Sequence, residues 1–178
     1  MTQKSNTPIE SAMRDGTILG CLWSATFALS VAMLKMLVNG QGMLLTFAVI
    51  VMTLMSPFVA YKLAVKHRDK ERDGAMTFGE AWKYIAIMYL CAIILSAIVQ
   101  YIYYAFIDPN AFSDISMQFA AFASSNGMDK EGIKVFTDAF DEMDRTGTGD
   151  MLMSTITGHI SRDLIIAAIL ALTVKKNP

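Results

Sequence analysis

The stretch "YIAIMYLCAIILSAIVQYIYYAFI" at Tyr84–Ile107 decides the fold of this chain, because it contains no charged side chain. A helix that crosses the hydrocarbon core of a bilayer needs about 20 mostly apolar residues. This stretch is long enough, and Asp108-Pro109 follows it directly. The residue before a proline avoids the helical region, so the predicted membrane helix ends at this point.

The flanks of the stretch also have the composition of membrane–water interfaces. Trp82 lies at its start and Tyr101 close to its end, and aromatic side chains favour both interfaces. Just upstream, "TFGE" at Thr77–Glu80 has the spacing of a capping box, in which the two side chains bond to each other's backbone amides. The spacing predicts that the helix begins directly after Thr77.

Three other segments are apolar enough to span a membrane. The 178-residue chain is 54% hydrophobic and 17% charged, whereas soluble domains carry about a quarter charged residues. We therefore predict an all-α, four-span helical membrane protein that forms one membrane domain over residues 1–178. The spans are predicted near 17–38, 43–65, 79–107 and 151–174, with an extracytoplasmic helical loop over 108–150.

The distribution of basic residues predicts the orientation. Cytoplasmic loops are rich in Lys and Arg. Segment 62–83 has this character, with Lys62, Lys66, Arg68, Lys70, Arg72 and Lys83, and so has the C-terminus. Segment 108–150 has nine acidic and three basic side chains. Both termini are thus expected in the cytoplasm, and His67 is expected in a solvated basic loop.

The acidic loop contains two amphipathic helical patterns. Apolar residues recur at helical spacing, first at Ile115, Phe119 and Phe122, and then at Ile133, Phe136, Phe140 and Met143. Two interpretations fit equally well. The helices form a lid that lies apolar side down on the bundle, or they offer a docking surface to a partner outside the cytoplasmic membrane.

The first span carries a stripe of small residues at four-residue spacing, namely Gly16, Gly20, Ser24, Ala28 and Ala32. Residues four apart share one helix face, and small side chains let helices approach closely in lipid. We expect this helix-packing seam to contact another span of the same chain. The alternative is a seam for a second copy of the chain or for another membrane protein.

The fourth span contains the candidate polar site. His159, Arg162 and Asp163 are three and four residues apart, so all three side chains can share one side of a helix. A charge near the centre of a bilayer is costly and usually faces the bundle interior. A proton relay or a site for an anionic headgroup would explain the cluster. The alternative is a shallow position from which the side chains reach the outer interface.

Other function classes find no support in the sequence. The net charge of −1 gives no indication of a nucleic-acid partner. We recognise no paired-carboxylate site, metal triad or activated nucleophile, so no enzyme activity, catalytic residue, metal or cofactor is predicted. The lipid bilayer is the expected partner. The two cysteines, Cys21 and Cys91, are expected to be unpaired thiols within apolar spans.

The chain resembles a known family. "GAMTFGEAWKY", the tyrosine-rich span, "YYAFIDPNAF" and the final "VKK" together are similar to the bacterial integral-membrane family called domain of unknown function 4199, common in Bacteroidota. The resemblance covers Arg14 to Lys176 and implies a four-span helical fold. It implies no catalytic residues. Family members are often encoded beside a polyprenyl-phosphate glycosyltransferase, which implies a role in the cell envelope or with lipid-linked sugars.

Two functions are therefore expected. The first is a non-enzymatic accessory or scaffold component of cell-envelope biogenesis that binds a partner through its seam or outer helices. The second is a small transporter or lipid-carrier-binding component centred on His159, Arg162 and Asp163. The two halves of the chain show no close internal repeat, which counts mildly against transport.

Overall fold

The computed structural model describes residues 7–37 and 43–176, and most of these residues are helical. Val38, where the first span was predicted to end, lies outside the described residues. The helices are α1 (Pro8–Leu37), α2 (Met43–Glu71), α3 (Phe78–Ile102), α4 (Ala111–Ser125), α5 (Lys130–Thr146) and α6 (Thr148–Val174). One π-helical turn, Tyr103–Ile107, extends α3. The described residues contain no strand, so the all-α prediction is confirmed.

Four of these helices are long and apolar enough to cross a membrane. They cover Pro8–Met36, Leu44–Glu71, Phe78–Ile107 and Thr148–Val174, so the four-span prediction is confirmed. Their outer faces expose large apolar side chains, such as Leu44 (79% exposed) and Phe58 (66% exposed). A continuous apolar surface of this kind is unfavourable in water and is solvated by lipid chains.

The spans alternate in direction. At one end of the bundle, Lys35 near the end of α1 forms an ion pair with Asp108, which follows α3. This hydrogen-bonded ammonium group, assisted by the Tyr103 hydroxyl, lowers the pKa of the Asp108 carboxyl below its usual value. At the other end, Arg68 of α2 donates to the Val174 carbonyl of α6 at 2.8 Å.

The backbone also joins the start of α3 to the end of α6. The amide and carbonyl groups of Met76 and Lys176 form two hydrogen bonds, 2.8 and 2.9 Å long. The Arg68 bond satisfies a carbonyl group that the end of α6 leaves free. The first and last described residues thus lie at the same end of the bundle, which we call the terminal end. The other end carries α4 and α5, and we call it the loop end.

Two helices extend beyond the predicted spans at the terminal end. α1 begins at Pro8, where the Thr7 amide donates to the Glu10 carboxylate at 2.8 Å in a capping arrangement. α2 continues to Glu71, whose carboxylate forms an ion pair with Arg14 of α1. The prediction of a solvated His67 is wrong, because His67 is 2% exposed and its ring stacks on Tyr84 at 4.0 Å.

α3 supplies more of the buried core residues than any other described helix. The predicted capping box is confirmed at its start, where the Thr77 hydroxyl accepts from the Glu80 amide and the Glu80 carboxylate accepts from the Thr77 amide. Its buried side chains include Ile85 and Met88, which pack against α1 and α6. α1 and α3 run parallel and form the most extensive helix–helix contact in the described chain. α3 therefore holds α1 and α6 together, whereas α2 packs mainly on α1.

The two helices predicted in the acidic loop are present as α4 and α5. Phe119 and Phe136 stack between them, with ring centroids 4.5 Å apart. No residue of α5 is buried, and Val135 and Phe136 remain 66% and 52% exposed. The apolar side of α5 is thus only partly covered by α4 and the bundle.

The packing of α1 on α3 gives a direct test of the fold. A methyl group on Gly16 would lie 2.6 Å from the Met88 carbonyl oxygen and 2.7 Å from the Cys91 Cβ, both of which are rigidly placed. We expect Gly16→Ala to lower the free energy of unfolding by roughly 1–3 kcal/mol, the usual range for overpacking. Thermal unfolding in detergent measures the change.

Gly158→Ala is the matched control, because Gly158 lies within α6 and a methyl group there has no neighbour within 4 Å. We expect this substitution to leave stability unchanged or slightly raised, since alanine favours the helix. Equal effects of the two substitutions would contradict the close approach of α1 and α3.

Candidate intramembrane binding site

The structure brings the three predicted site residues together on one side of α6. The Arg162 Nε donates to Asp163 Oδ1 at 2.9 Å, and Arg162 Nη2 lies 2.7 Å from His159 Nδ1. His159 Nδ1 lies 3.4 Å from Asp163 Oδ2. The three side chains therefore form one closed polar cluster, as helical spacing allows.

This cluster packs against side chains from the other three spans. The Trp23 ring of α1 lies between His159 and Tyr89 of α3, with centroid distances of 5.5 and 5.8 Å. The Trp23 Nε1 donates to the Ser56 hydroxyl of α2 at 2.6 Å. No sequence pattern predicted these three partners, because each comes from a different span and only the packing joins them.

A cavity of about 400 Å³ lies beside the cluster, among all four spans. His159, Arg162 and Asp163 line it together with Trp23, Ser56 and Tyr89. Its remaining polar lining residues are Thr26, Ser30, Thr53, Ser96 and Gln100, and its apolar ones are Phe27, Met52, Leu54, Pro57 and Ile166. An apolar pocket with a few convergent polar groups is typical of a site for a small ligand.

The site lies deep within the bundle. Trp23, Ser56, Tyr89 and Asp163 each fall in the middle third of their helix. Asp163 precedes the end of α6 by 11 residues, or about 16 Å at 1.5 Å per residue, which is about half of a ~30 Å hydrocarbon core. The lining also includes Ser30 and Gln100, so the cavity extends from this depth toward the loop end.

The three polar side chains differ in exposure. Asp163 is 3% exposed, whereas the side chains of His159 and Arg162 are 30% and 59% exposed. Asp163 is thus the buried anchor, and Arg162 extends from it with its guanidinium at the cavity. This arrangement neutralises the buried carboxylate and leaves a cation accessible to a ligand.

Tyr89 adds an unsatisfied polar group. Within the described chain, its hydroxyl is buried and has no hydrogen-bond partner. A buried hydroxyl without a partner costs free energy, and native structures contain few of them. Because Tyr89 lines the cavity, a water molecule or a ligand in the cavity is a natural source of its missing hydrogen bond.

The predicted helix-packing seam divides between two environments. Gly16 and Gly20 face α3 of the same chain, where Met88, Cys91 and Leu95 leave no room for a side chain. Ser24 donates back to the Gly20 carbonyl at 2.8 Å. Ala28, by contrast, is exposed beside a shallow apolar groove, and Ala32 is partly exposed. The half of the seam nearest the terminal end packs within the chain.

A second polar cluster lies at the terminal end and was not predicted. The Tyr84 hydroxyl of α3 donates to Asp15 Oδ2 of α1 at 2.7 Å, and Asp15 is 1% exposed. The Arg14 guanidinium bonds to both Asp15 and Glu71 of α2. Glu71 also accepts from the Ser11 hydroxyl and contacts His67 Nδ1 at 3.0 Å. Every acid in this cluster has a partner, so it fastens α1, α2 and α3 together.

Removing the Tyr84 hydroxyl tests this fastening. Tyr84→Phe keeps the ring stacked on His67 and deletes only the hydrogen bond to a buried carboxylate. We expect a loss of about 1–3 kcal/mol in the free energy of unfolding, the usual cost of leaving a buried polar group without its partner. Chemical denaturation in mixed micelles measures it.

Tyr101→Phe provides the control, because Tyr101 lies on the same helix and is 46% exposed. Its substitution should change stability by no more than a few tenths of a kcal/mol, as surface substitutions usually do. If Tyr84→Phe is equally mild, the terminal cluster does not stabilise the bundle.

The fold and the site together define an all-α integral membrane protein with four spans and a polar cavity between them. A family model described as "Protein of unknown function (DUF4199)" matches residues 14–176, and the chain belongs to this family. The resemblance seen in the sequence is thereby confirmed. No curated protein and no solved structure matches the chain. Family membership thus supports the membrane fold and assigns no activity.

Proposed function

We propose that this protein is a non-enzymatic accessory component of the bacterial cell envelope that holds an anionic lipid headgroup in its intramembrane cavity. The observation that carries the proposal is the position of Arg162. Its guanidinium is accessible at a cavity deep within the four spans, and Asp163 accepts a hydrogen bond from only one of its nitrogen atoms, Nε. A cation placed at that depth is costly and therefore points to a function.

The cavity lining suits an amphiphile. Guanidinium groups bind phosphate through paired hydrogen bonds, and Arg162 has nitrogen atoms left for this after its bond to Asp163. Apolar side chains such as Phe27 and Ile166 offer contacts for an acyl or prenyl chain. The volume of about 400 Å³ lies within the usual range for ligand pockets, about 300–1,000 Å³.

The charge difference between the two ends of the bundle supports a location in the cell envelope. The terminal end carries Arg68, Arg72 and Lys176, whereas the loop end carries the acidic α4 and α5. By the positive-inside rule we propose that both termini are cytoplasmic and that the protein lies in the inner membrane. The cavity then extends toward the extracytoplasmic side. Both a membrane phospholipid and a polyprenyl phosphate carrier present the required phosphate there.

A scaffold function is the second candidate, and α5 favours it. The exposed apolar residues Val135, Phe136 and Met143 lie on a helix outside the spans, which also carries several acidic side chains. Such a helix can dock into an apolar groove of a partner with a basic rim. A scaffold and a lipid-binding component are compatible functions of one accessory protein.

Lipid capture tests the proposal. The protein is purified from its native membranes in mild detergent, and native mass spectrometry records bound lipids and protein partners. We expect wild type to retain an anionic lipid and Arg162→Gln to lose at least 90% of it, since a bidentate phosphate contact contributes about 1.5–3 kcal/mol. The matched control is Arg145→Gln, which removes an exposed arginine of α5.

Defined probes then distinguish the sources of the phosphate. Delipidated protein is offered phosphatidylglycerol, farnesyl phosphate or phosphatidylcholine. Preference for farnesyl phosphate indicates a lipid carrier, and preference for phosphatidylglycerol indicates a membrane lipid. Equal binding of all three probes, or equal binding by wild type and Arg162→Gln, contradicts the proposal. A stoichiometric protein partner retained by both forms, without a bound lipid, favours the scaffold function.

A further inference from the structure

One nitrogen atom in the candidate site faces two groups with opposite requirements. His159 Nδ1 lies 2.7 Å from Arg162 Nη2, which is a hydrogen-bond donor only. The same nitrogen lies 3.4 Å from Asp163 Oδ2, an acceptor when the carboxyl is ionised. Since Nδ1 either carries a proton or offers a lone pair, it can satisfy one of the two groups at a time.

A hydrogen bond from the Arg162 guanidinium to Nδ1 requires a neutral imidazole. At 2.7 Å the guanidinium donates to Nδ1, which therefore holds a lone pair, while the proton of the imidazole lies on Nε2. Arg162 is then held at two points, through Nε by Asp163 and through Nη2 by His159. The charges of Arg162 and Asp163 cancel, so the cluster has no net charge.

Protonation of His159 reverses this arrangement. An imidazolium Nδ1–H cannot accept from the guanidinium, and the two positive groups repel each other at this separation. The Nδ1–H donates instead to Asp163 Oδ2, which is already in place. The Arg162 Nη2 group is released toward the cavity, and the cluster gains one positive charge beside the ligand position.

Among the described residues that line the cavity, the neighbouring helices place no further charged group beside His159. The ring of His159 contacts the ring of Trp23 of α1, which does not titrate. Trp23 in turn donates to the Ser56 hydroxyl of α2, which is also uncharged. On α3, the titratable group that lines the cavity is the phenol of Tyr89, which is neutral at physiological pH. Among the described lining residues, the charges that His159 meets are therefore those of Arg162 and Asp163.

We infer that the site binds its anionic ligand together with one proton, which His159 takes up as Arg162 is released to the ligand. This inference rests on the proposed function and adds its regulation. Binding then strengthens as the pH falls, and a proton gradient across the membrane favours loading from the more acidic side. The cavity extends toward the loop end, so protons and ligand reach the cluster from the same side.

A titration with a ligand of constant charge tests the coupling. Short-chain phosphatidylglycerol is the probe, because a phosphodiester keeps its single charge where a phosphate monoester titrates, near pH 6. Its affinity for the detergent-solubilised protein is measured from about pH 5 to about pH 8, the range in which histidine changes charge. We expect wild-type affinity to fall with rising pH, by up to tenfold per pH unit, as linkage to one proton requires.

Two variants separate His159 from the only other histidine of the chain, His67. His159→Leu removes the nitrogen that takes up the proton, so its affinity should be independent of pH. His67→Gln should retain the wild-type pH dependence. Thermal unfolding of each variant, recorded at every pH, establishes that the measured protein is folded.

Proton counting on the wild-type protein gives a second readout that needs no variant. Calorimetric binding enthalpies in buffers of different ionisation enthalpy should reveal uptake of up to one proton per ligand at about pH 7 to 8. Affinity independent of pH, or no proton uptake, overturns the inference and leaves the proposed function intact. Persistent pH dependence in His159→Leu also overturns it. Absence of binding at every pH refutes the proposed function itself.

Discussion

The close approach of α1 to α3 at Gly16 is the constraint on which the rest of the structure depends. With no side chain between the backbones, the two parallel helices remain in contact along the terminal half of the bundle. This places Asp15 within 2.7 Å of the Tyr84 hydroxyl and stacks Trp23 on Tyr89. The same contact therefore builds the terminal fastening and one wall of the polar cavity. In lipid, where apolar burial does not drive helices together, such close packing and buried hydrogen bonds replace the hydrophobic effect.

The two polar clusters stabilise the bundle by different means. At the terminal end, Asp15 and Glu71 are surrounded by donors from three helices. Both carboxylates therefore find their ion pairs and hydrogen bonds within the protein. In the middle of the bundle, only Asp163 is enclosed, while Arg162 and His159 extend to a cavity. Burying an ionised group without a partner costs several kcal/mol, so both clusters must keep their partners. The difference in exposure is what distinguishes a structural cluster from a candidate binding site.

The sequence predicted the fold better than the site for a physical reason. Span length, capping at Thr77 and the turn at Asp108-Pro109 are local properties, and the structure has all of them. The proximity of His159 and Asp163 could also be predicted from their spacing, because both residues belong to α6. The partners of this cluster were not, because Trp23 reaches it only through the packing of separate helices. His67 was wrongly predicted to be solvated, because its neighbours in the sequence are basic. α2 continues beyond the predicted span, and the side of the helix that carries His67 is buried there.

The proposed function requires a hydrated cavity that reaches the middle of the spans from the loop end. Thiol labelling tests it most directly, with Cys21 and Cys91 replaced by alanine and a single cysteine introduced in membrane vesicles of known orientation. Thr26 lines the cavity, whereas its neighbour Ala25 is exposed on the outer surface of the bundle at nearly the same depth. We expect a membrane-impermeant reagent applied at the loop end to modify the cysteine of Thr26→Cys much faster than that of Ala25→Cys. Equal protection of both positions would contradict it.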